Sequence, residues 1–192
     1  TDSLMDEGIA EAVQVRDSRW TDMPSIGVIK TIYDADLIIN MPTLKRHTQT
    51  NLTCALKNMM GVLDVPTTQL MHLWGDENKE RYESMPRDQV WRRLCRTIAE
   101  VATAVSPEIT IVDARTVLTE HHVNVRTGGP KEANCLIMSG DSLAVDIQAA
   151  KLLESVHAEY DLGYTSETFD YAARLGFGLA EPEAVVFKEV EV

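Results

Sequence analysis

Cysteine is scarce in this chain of 192 residues: there are three, Cys54, Cys95 and Cys135, and no CxxC pair. That spacing excludes a zinc ribbon or an iron–sulfur cluster held by paired cysteine motifs of this chain. Each thiol sits in an apolar context (TCALK, RRLCRTI, ANCLIM), which predicts buried and unreactive side chains. Basic residues are few as well. Against 30 Asp and Glu stand 18 Lys and Arg, a formal charge of -12, and a phosphate backbone is held by a basic surface. Nucleic acid is therefore excluded as the main partner. No apolar run reaches the length of a membrane span and no signal peptide is visible, so a cytoplasmic location is expected. Internal repeats and low-complexity linkers are absent too.

What remains is ordinary globular composition, 44% hydrophobic and 25% charged, over the length of one domain with a substantial core. The opening stretch TDSLMDEGIAEAV reads like the interior of a helix. The expectation is a single α/β domain over residues 1–192 that lacks an N-terminal portion of the full protein. Ser3–Ala12 reads as helix and Val13–Arg16 as a short strand. Ile26–Ile32 is a β-branched apolar run, closed by a turn at Tyr33–Ala35. Asp36–Met41 ends at Pro42 and suits a buried parallel strand. Thr50 or Asn51 is placed to cap a helix running to Met60, with Gly61 as its stop. Asp64–Pro86 is charged and irregular, read as a solvated loop or short helix.

Arg87–Val105 is the clearest helix, with Val90, Leu94, Ile98, Val101 and Val105 at spacings of three and four. Ile109–Val112 and Ala133–Ser139 read as further buried strands, Ser142–Val156 and Ser166–Leu175 as helices, and Ala184–Val192 as a closing strand. Strands alternating with helices give an α/β class: a layered, largely parallel central sheet flanked by helices.

Three groups of residues carry possible chemistry. The first surrounds NMPTLKRH: Asn40, Lys45 and His47, with Lys57 and Asn58 on the following helix. A strand that ends in donors and cations before a helix start is a common anion-holding geometry at the carboxyl edge of an α/β sheet. Here lysines supply charge, histidine exchanges a proton near neutral pH, and asparagines orient a carbonyl or carboxylate. The second is MSGDSLAVD, where Asp141 or Ser142 can cap a helix and Asp146 lies one turn on. A buried Asp146 needs a partner, and a lysine of the first group is the natural one. The third is TGGP, in which Gly128 and Gly129 allow close backbone approach to a ligand. His121 and His122 are adjacent and point to opposite faces of a strand. A metal site from His47 or His72 with Asp113 or Asp141 has no HxxxH or HxH spacing behind it.

The residues ADLIINMPTLKRHTQTNLTCALKNMMG resemble the bacterial and archaeal family called domain of unknown function 362. Its pattern is an Asp-led strand, Asn-x-Pro-x-Leu-Lys-x-His and Thr-x-x-Leu-Lys-Asn-x-x-Gly. SGDSLAVDIQAAKLL is similar to the family's Asp-x-x-Ala-x-Asp signature, and YAARLGFG fits as well. The resemblance implies a fold and a site position more than a reaction. It also implies relatives with an additional N-terminal segment. Some carry a ferredoxin-like region with two four-iron four-sulfur clusters, and some begin with a twin-arginine export signal, which would make the protein exported. Together these readings lead to a small-molecule site for an anionic or carbonyl ligand. His47 is the candidate acid or base, Lys45 and Lys57 the electrostatic stabilisers, and Asp146 the orienter. Asn40, Asn58, Asp141, Gly128 and Gly129 complete the binding wall. The alternative is an accessory or redox-partner module of an iron–sulfur domain outside this chain, with the Lys–Asp cluster structural. Whether the chain is an enzyme stays open at this level, as does its oligomeric state.

Overall fold

The computed structural model describes residues 11–119, 129–178, 186 and 188–190. Strands β1 (Ala12–Val15) and β2 (Ile26–Ile29) form an antiparallel ribbon with Ala12 opposite Ile29. The ladder ends at that pair, and α1 (Lys30–Tyr33) turns away there, so the extended run expected through Ile32 is shorter. Gly27 is required in β2. A Cβ there would lie 1.9 Å from the Asp64 carboxylate, which caps the helix Val65–His72 by accepting from Thr67 N at 2.8 Å.

The central sheet contains β3 (Ile39–Asn40), β4 (Thr43–His47), β5 (Asn51–Thr53), β6 (Ile109–Leu118) and β7 (Pro130–Ser139). Both β3 and β4 run parallel to β6, with Ile39 opposite Ile109 and Thr43 opposite Asp113. Pro42 has no N–H to give, but its carbonyl accepts from Asp113 N at 2.9 Å. The chain therefore passes through Pro42 in unbroken register instead of turning into a helix. β5 and β7 add antiparallel pairings on either side. Helices cover the inner face, giving the α/β class with its parallel registers at the centre of the sheet. The strand expected over Asp36–Met41 is not buried throughout: Asn40 points inward, while Leu37, Ile39 and Met41 point outward and are exposed.

Three further boundaries differ from expectation. The predicted helix from Thr50 or Asn51 begins only at Ala55. Residues 51–53 pair with β4 instead, leaving the four-residue α2 (Ala55–Asn58) and a 3₁₀ turn at Met59–Val62. The irregular stretch Asp64–Pro86 contains α3 (Val65–His72) and α4 (Lys79–Ser84). The strand Ile109–Val112 continues to Leu118, because β7 pairs with it along its whole length. The long helices are as expected: α5 (Arg87–Val105), α6 (Ser142–Val156) and α7 (Gly163–Arg174). Most of Ser3–Ala12 lies outside the described residues, and Ala12 itself starts β1. Gly128, His121 and His122 also lie outside them. Of the closing strand expected over Ala184–Val192, residues 186 and 188–190 are described and belong to no strand.

The core between α5, α7 and the sheet contains one charged knot. Glu100 is fully buried on α5. It accepts from the amides of Thr21 at 2.7 Å, Asp22 at 3.1 Å and Met23 at 2.9 Å, and from the Tyr171 hydroxyl at 2.8 Å. Burial raises its pKa, and those donors oppose the rise. The carboxylate thus ties the segment before β2 to α5 and α7. Glu100→Ala removes the carboxylate that the amides of Thr21, Asp22 and Met23 share, and leaves the buried Met23 amide without it. Urea unfolding is expected to show a loss of about 3–5 kcal/mol, whereas an effect below about 1 kcal/mol marks the knot as dispensable.

Candidate functional site

The asparagines and Asp146 meet in one seam beside α2, where Asn40 and Asp146 are buried and Asn58 reaches in from the surface. Asn58 donates to Asn40 Oδ1 at 2.8 Å, and Asn40 donates to the Ala55 carbonyl at 3.0 Å. The Thr110 and Ser142 hydroxyls share a 2.7 Å hydrogen bond next to Asn40. Asp146 reaches from α6 and accepts from Ala55 N at 2.6 Å and Leu56 N at 3.0 Å. The lysine partner expected for Asp146 is not what it has: backbone donors at the start of α2 satisfy both of its oxygens. Burial pushes its pKa up to about 6, while the Leu56 amide, the Cys54 thiol and the Ala55 amide pull it down. Asp141 caps α6, its Oδ1 accepting from Leu143 N and Ala144 N at 2.9 Å each.

The rest of the first group is spread along β4 and its turn. Lys45 sits opposite Thr53 and Leu118. His47 is buried, and its Nδ1 accepts from Gln49 N at 3.1 Å and Thr50 N at 3.2 Å. Two donors facing Nδ1 hold the ring proton on Nε2, so His47 braces the turn after β4. Gly129 closes the β6–β7 hairpin, its carbonyl accepting from the Thr119 amide at 3.0 Å and hydroxyl at 2.9 Å.

The turn braced by His47 has two sides. Thr50 lines a void of about 10 Å³ shared with Lys57, Asp146, Thr165 and Thr168, barely the room for one water. Gln49 lines two adjoining hollows of about 240 and 290 Å³ at the carboxyl end of β4. Tyr82, Val90 and Trp91 also border both, while His72, Leu73 and Trp74 border the first. Leu73 ends α3 at φ 55°, ψ 38°, a conformation a leucine adopts only at a cost. That left-handed step turns Trp74 back onto His72, their rings stacked 4.1 Å apart. Trp91 meets Tyr164 edge-on at 5.5 Å. The outcome is a cleft with rings on several sides, suited to a flat molecule.

One titratable group, His72, lines this cleft, and a second, Lys57, lines the small void on the other side of the turn, near enough to His72 for its charge to be felt. His72 Nδ1 lies 2.9 Å from the Thr68 carbonyl and donates to it, which leaves Nε2 as an acceptor. Burial lowers its pKa, the charges of Lys57 and Arg93 add to this, and the Thr68 bond opposes them. Lys57 is half-buried, and burial brings its ammonium down to about 8, the Cys95 thiol opposing. Among the described residues its Nζ has one hydrogen-bond acceptor, Met60 Sδ at 3.5 Å, and no carboxylate in ion-pair range. Trp74 and Tyr82 were missed as site residues because their stretch looks like solvated loop, Trp91 because it belongs to an evident helix, and His72 was weighed as a metal ligand alone. The signal available was MHLWG, two rings flanking a leucine.

Among the described residues no three His, Cys, Asp or Glu side chains converge as a metal site. Cys54 and Cys95 are fully buried, with thiols that burial pushes up, and Cys135 lies apart on β7. These thiols do not fit an iron–sulfur cluster.

The sequence model of the family described as "Domain of unknown function (DUF362)" matches residues 1–151. A thylakoid-associated protein of Synechocystis sp. is 26% identical over 185 aligned residues, which take in 91% of this chain. The chain spans about half of that relative, 52% of its length.

The lone ammonium of Lys57 gives a test with a definite sign. Its folded pKa of about 8 lies below the ordinary 10.5, so the unfolded chain holds the proton more tightly. The cost to the fold is full below pH 8 and fades as the pH rises towards 10.5. Lys57→Met is expected to stabilise the chain at pH 7 by about 1–3 kcal/mol, with the gain shrinking by pH 10 in urea titrations. A variant no more stable than the parent at pH 7 shows an ammonium that reaches water.

Proposed function

The chain belongs to the family of domain of unknown function DUF362, and on that premise we propose that it binds a small planar ligand bearing a carbonyl or carboxylate. The ligand lies in the cleft at the carboxyl end of β4, its ring against Trp74, Tyr82 and Trp91. Supporting this reading above all is Lys57, a cation of depressed pKa without a carboxylate partner among the described residues, close enough to His72 to lower its pKa. A buried charge left in that condition lowers stability unless a ligand repays it. Lys57 supplies the charge from the far side of the turn, next to His72, Gln49 the polar contact on the cleft wall, and Lys45 a second cation along β4. His47 and Asp146 act one step back: His47 sets the turn carrying Gln49, and Asp146 sets α2 carrying Lys57. For any proton transfer in the cleft, His72 Nε2 is the acceptor, neutral at pH 7 because its pKa is lowered.

Benzoate and indole-3-carboxylate serve as probes, read by quenching of tryptophan fluorescence and by thermal shift. Both are expected to quench and to raise the melting temperature. Lys57→Met weakens them at least tenfold while the fold survives, and Trp91→Ala does the same to the quenching. Equal binding of the neutral amides, or binding unchanged in Lys57→Met, overturns the role of the lysine.

A second reading, an accessory module of an iron–sulfur protein, is favoured by one observation: the chain corresponds to about half of the relative it matches. The clusters would then sit on polypeptide outside this chain, and the seam of Asn40, Asn58 and Asp146 would be structural. Brown, iron-containing full-length protein favours this reading. Colourless protein without iron, binding carboxylates through Lys57, favours the first.

A further inference from the structure

The outer face of the central sheet is apolar where solvent would call for polar side chains. Leu37, Ile39 and Met41 beside β6, and Leu136 and Met138 on β7, are each between 49% and 70% exposed. The register brings them together: Ile39 lies opposite Ile109, and Met138 opposite Ile111, so both edges face one strip of β6. Their neighbours in sequence, Asn40, Val112 and Ile137, point to the covered inner face. A sheet with one wet face alternates apolar-in with polar-out, whereas one buried on both faces reads as continuous apolar runs. DLIIN, ITIV and CLIM are of the second kind. The patch is on the order of 500 Å², at the upper end for the largest patch on a monomer. Asp113 and Arg115, paired at 2.7 Å, border it with a neutral polar rim, as at an interface.

We infer that this outer face is the seat of a second helical layer, contributed by polypeptide of the same protein outside residues 1–192. Three observations select this occupant. Parallel registers such as those of β3 and β4 with β6 occur in sheets covered by helices on both sides, and among the described residues one side alone is covered. The matched relative is about twice as long as its aligned part, which leaves chain enough for such a layer. The formal charge of -12 and a rim without net charge oppose an anionic lipid surface. The inference is independent of the cleft and its ligand, which lie at the carboxyl end of β4.

Methionine footprinting tests it, because Met41 and Met138 are the two most exposed members of the patch at 70% each. The intact product of the full reading frame and the chain 1–192 are treated with hydrogen peroxide, and sulfoxide formation is followed by peptide mass spectrometry. In the intact protein both methionines are expected to oxidise at least tenfold more slowly than free methionine, at every protein concentration. In the chain 1–192 they oxidise within a few-fold of the free rate. Free-rate oxidation in the intact protein overturns the inference, as does a reading frame that adds no polypeptide. Protection of the chain 1–192 that grows with its concentration also overturns it, by naming a second copy as the occupant. Protection only on adding anionic vesicles overturns it in favour of a membrane surface.

Discussion

Asp146 reaches across from α6 to the first two amides of α2, and the arrangement around the site follows from that contact. A helix of four residues cannot sustain itself: nucleation costs more than so few hydrogen bonds return. Its leading amides are orphan donors, and its N-cap position, Cys54, offers no side-chain cap. A carboxylate from another helix takes over that role, and the charge favours the positive end of the backbone dipoles. With α2 fixed, Asn58 reaches Asn40 and Lys57 is held in its half-buried place behind His72.

The polar groups of the interior fall into two kinds. Glu100, Asp146 and Asn40 are surrounded by donors and acceptors that match them, and each joins segments distant in sequence: residues 21–23 to α5, α2 to α6, β3 to α2. Satisfied in this way, they define which surfaces meet. Lys57 is of the other kind, with a thioether as its one hydrogen-bond acceptor among the described residues. Leu73 is a comparable case in the backbone, held left-handed where glycine is the usual choice. Leu73 borders the aromatic cleft, and Lys57 lies behind His72 on the other side of the turn.

The long helices were legible because their cause is local. Arg87–Val105 has its apolar stripe and a proline on each side, and Ser142–Val156 has Asp141 as a cap that acts on amides two and three residues away. The stretch around Pro42 misled for an equally definite reason. Proline followed by basic residues resembles a strand leaving a sheet, but β6 is long enough to receive the chain on both sides of the proline. Likewise Thr50 and Asn51 are good caps in isolation. They were drawn instead into the β4–β5 hairpin, with Asn51 at φ 58° in its turn.

The sequence by itself determined the α/β class and the helices with their own stripes and caps, since these follow from periodicity and from interactions a few residues long. Tertiary structure alone decided what surrounds the residues from Asn40 to Asn58. Capping of α2 by a residue 91 positions away, the burial that separates Lys57 from carboxylates, and the gathering of His72, Trp74 and Trp91 beside Gln49 are contacts between distant segments. Hydrogen-bond satisfaction and desolvation are properties of neighbours in space, and the order of residues along the chain does not contain them until the chain has folded.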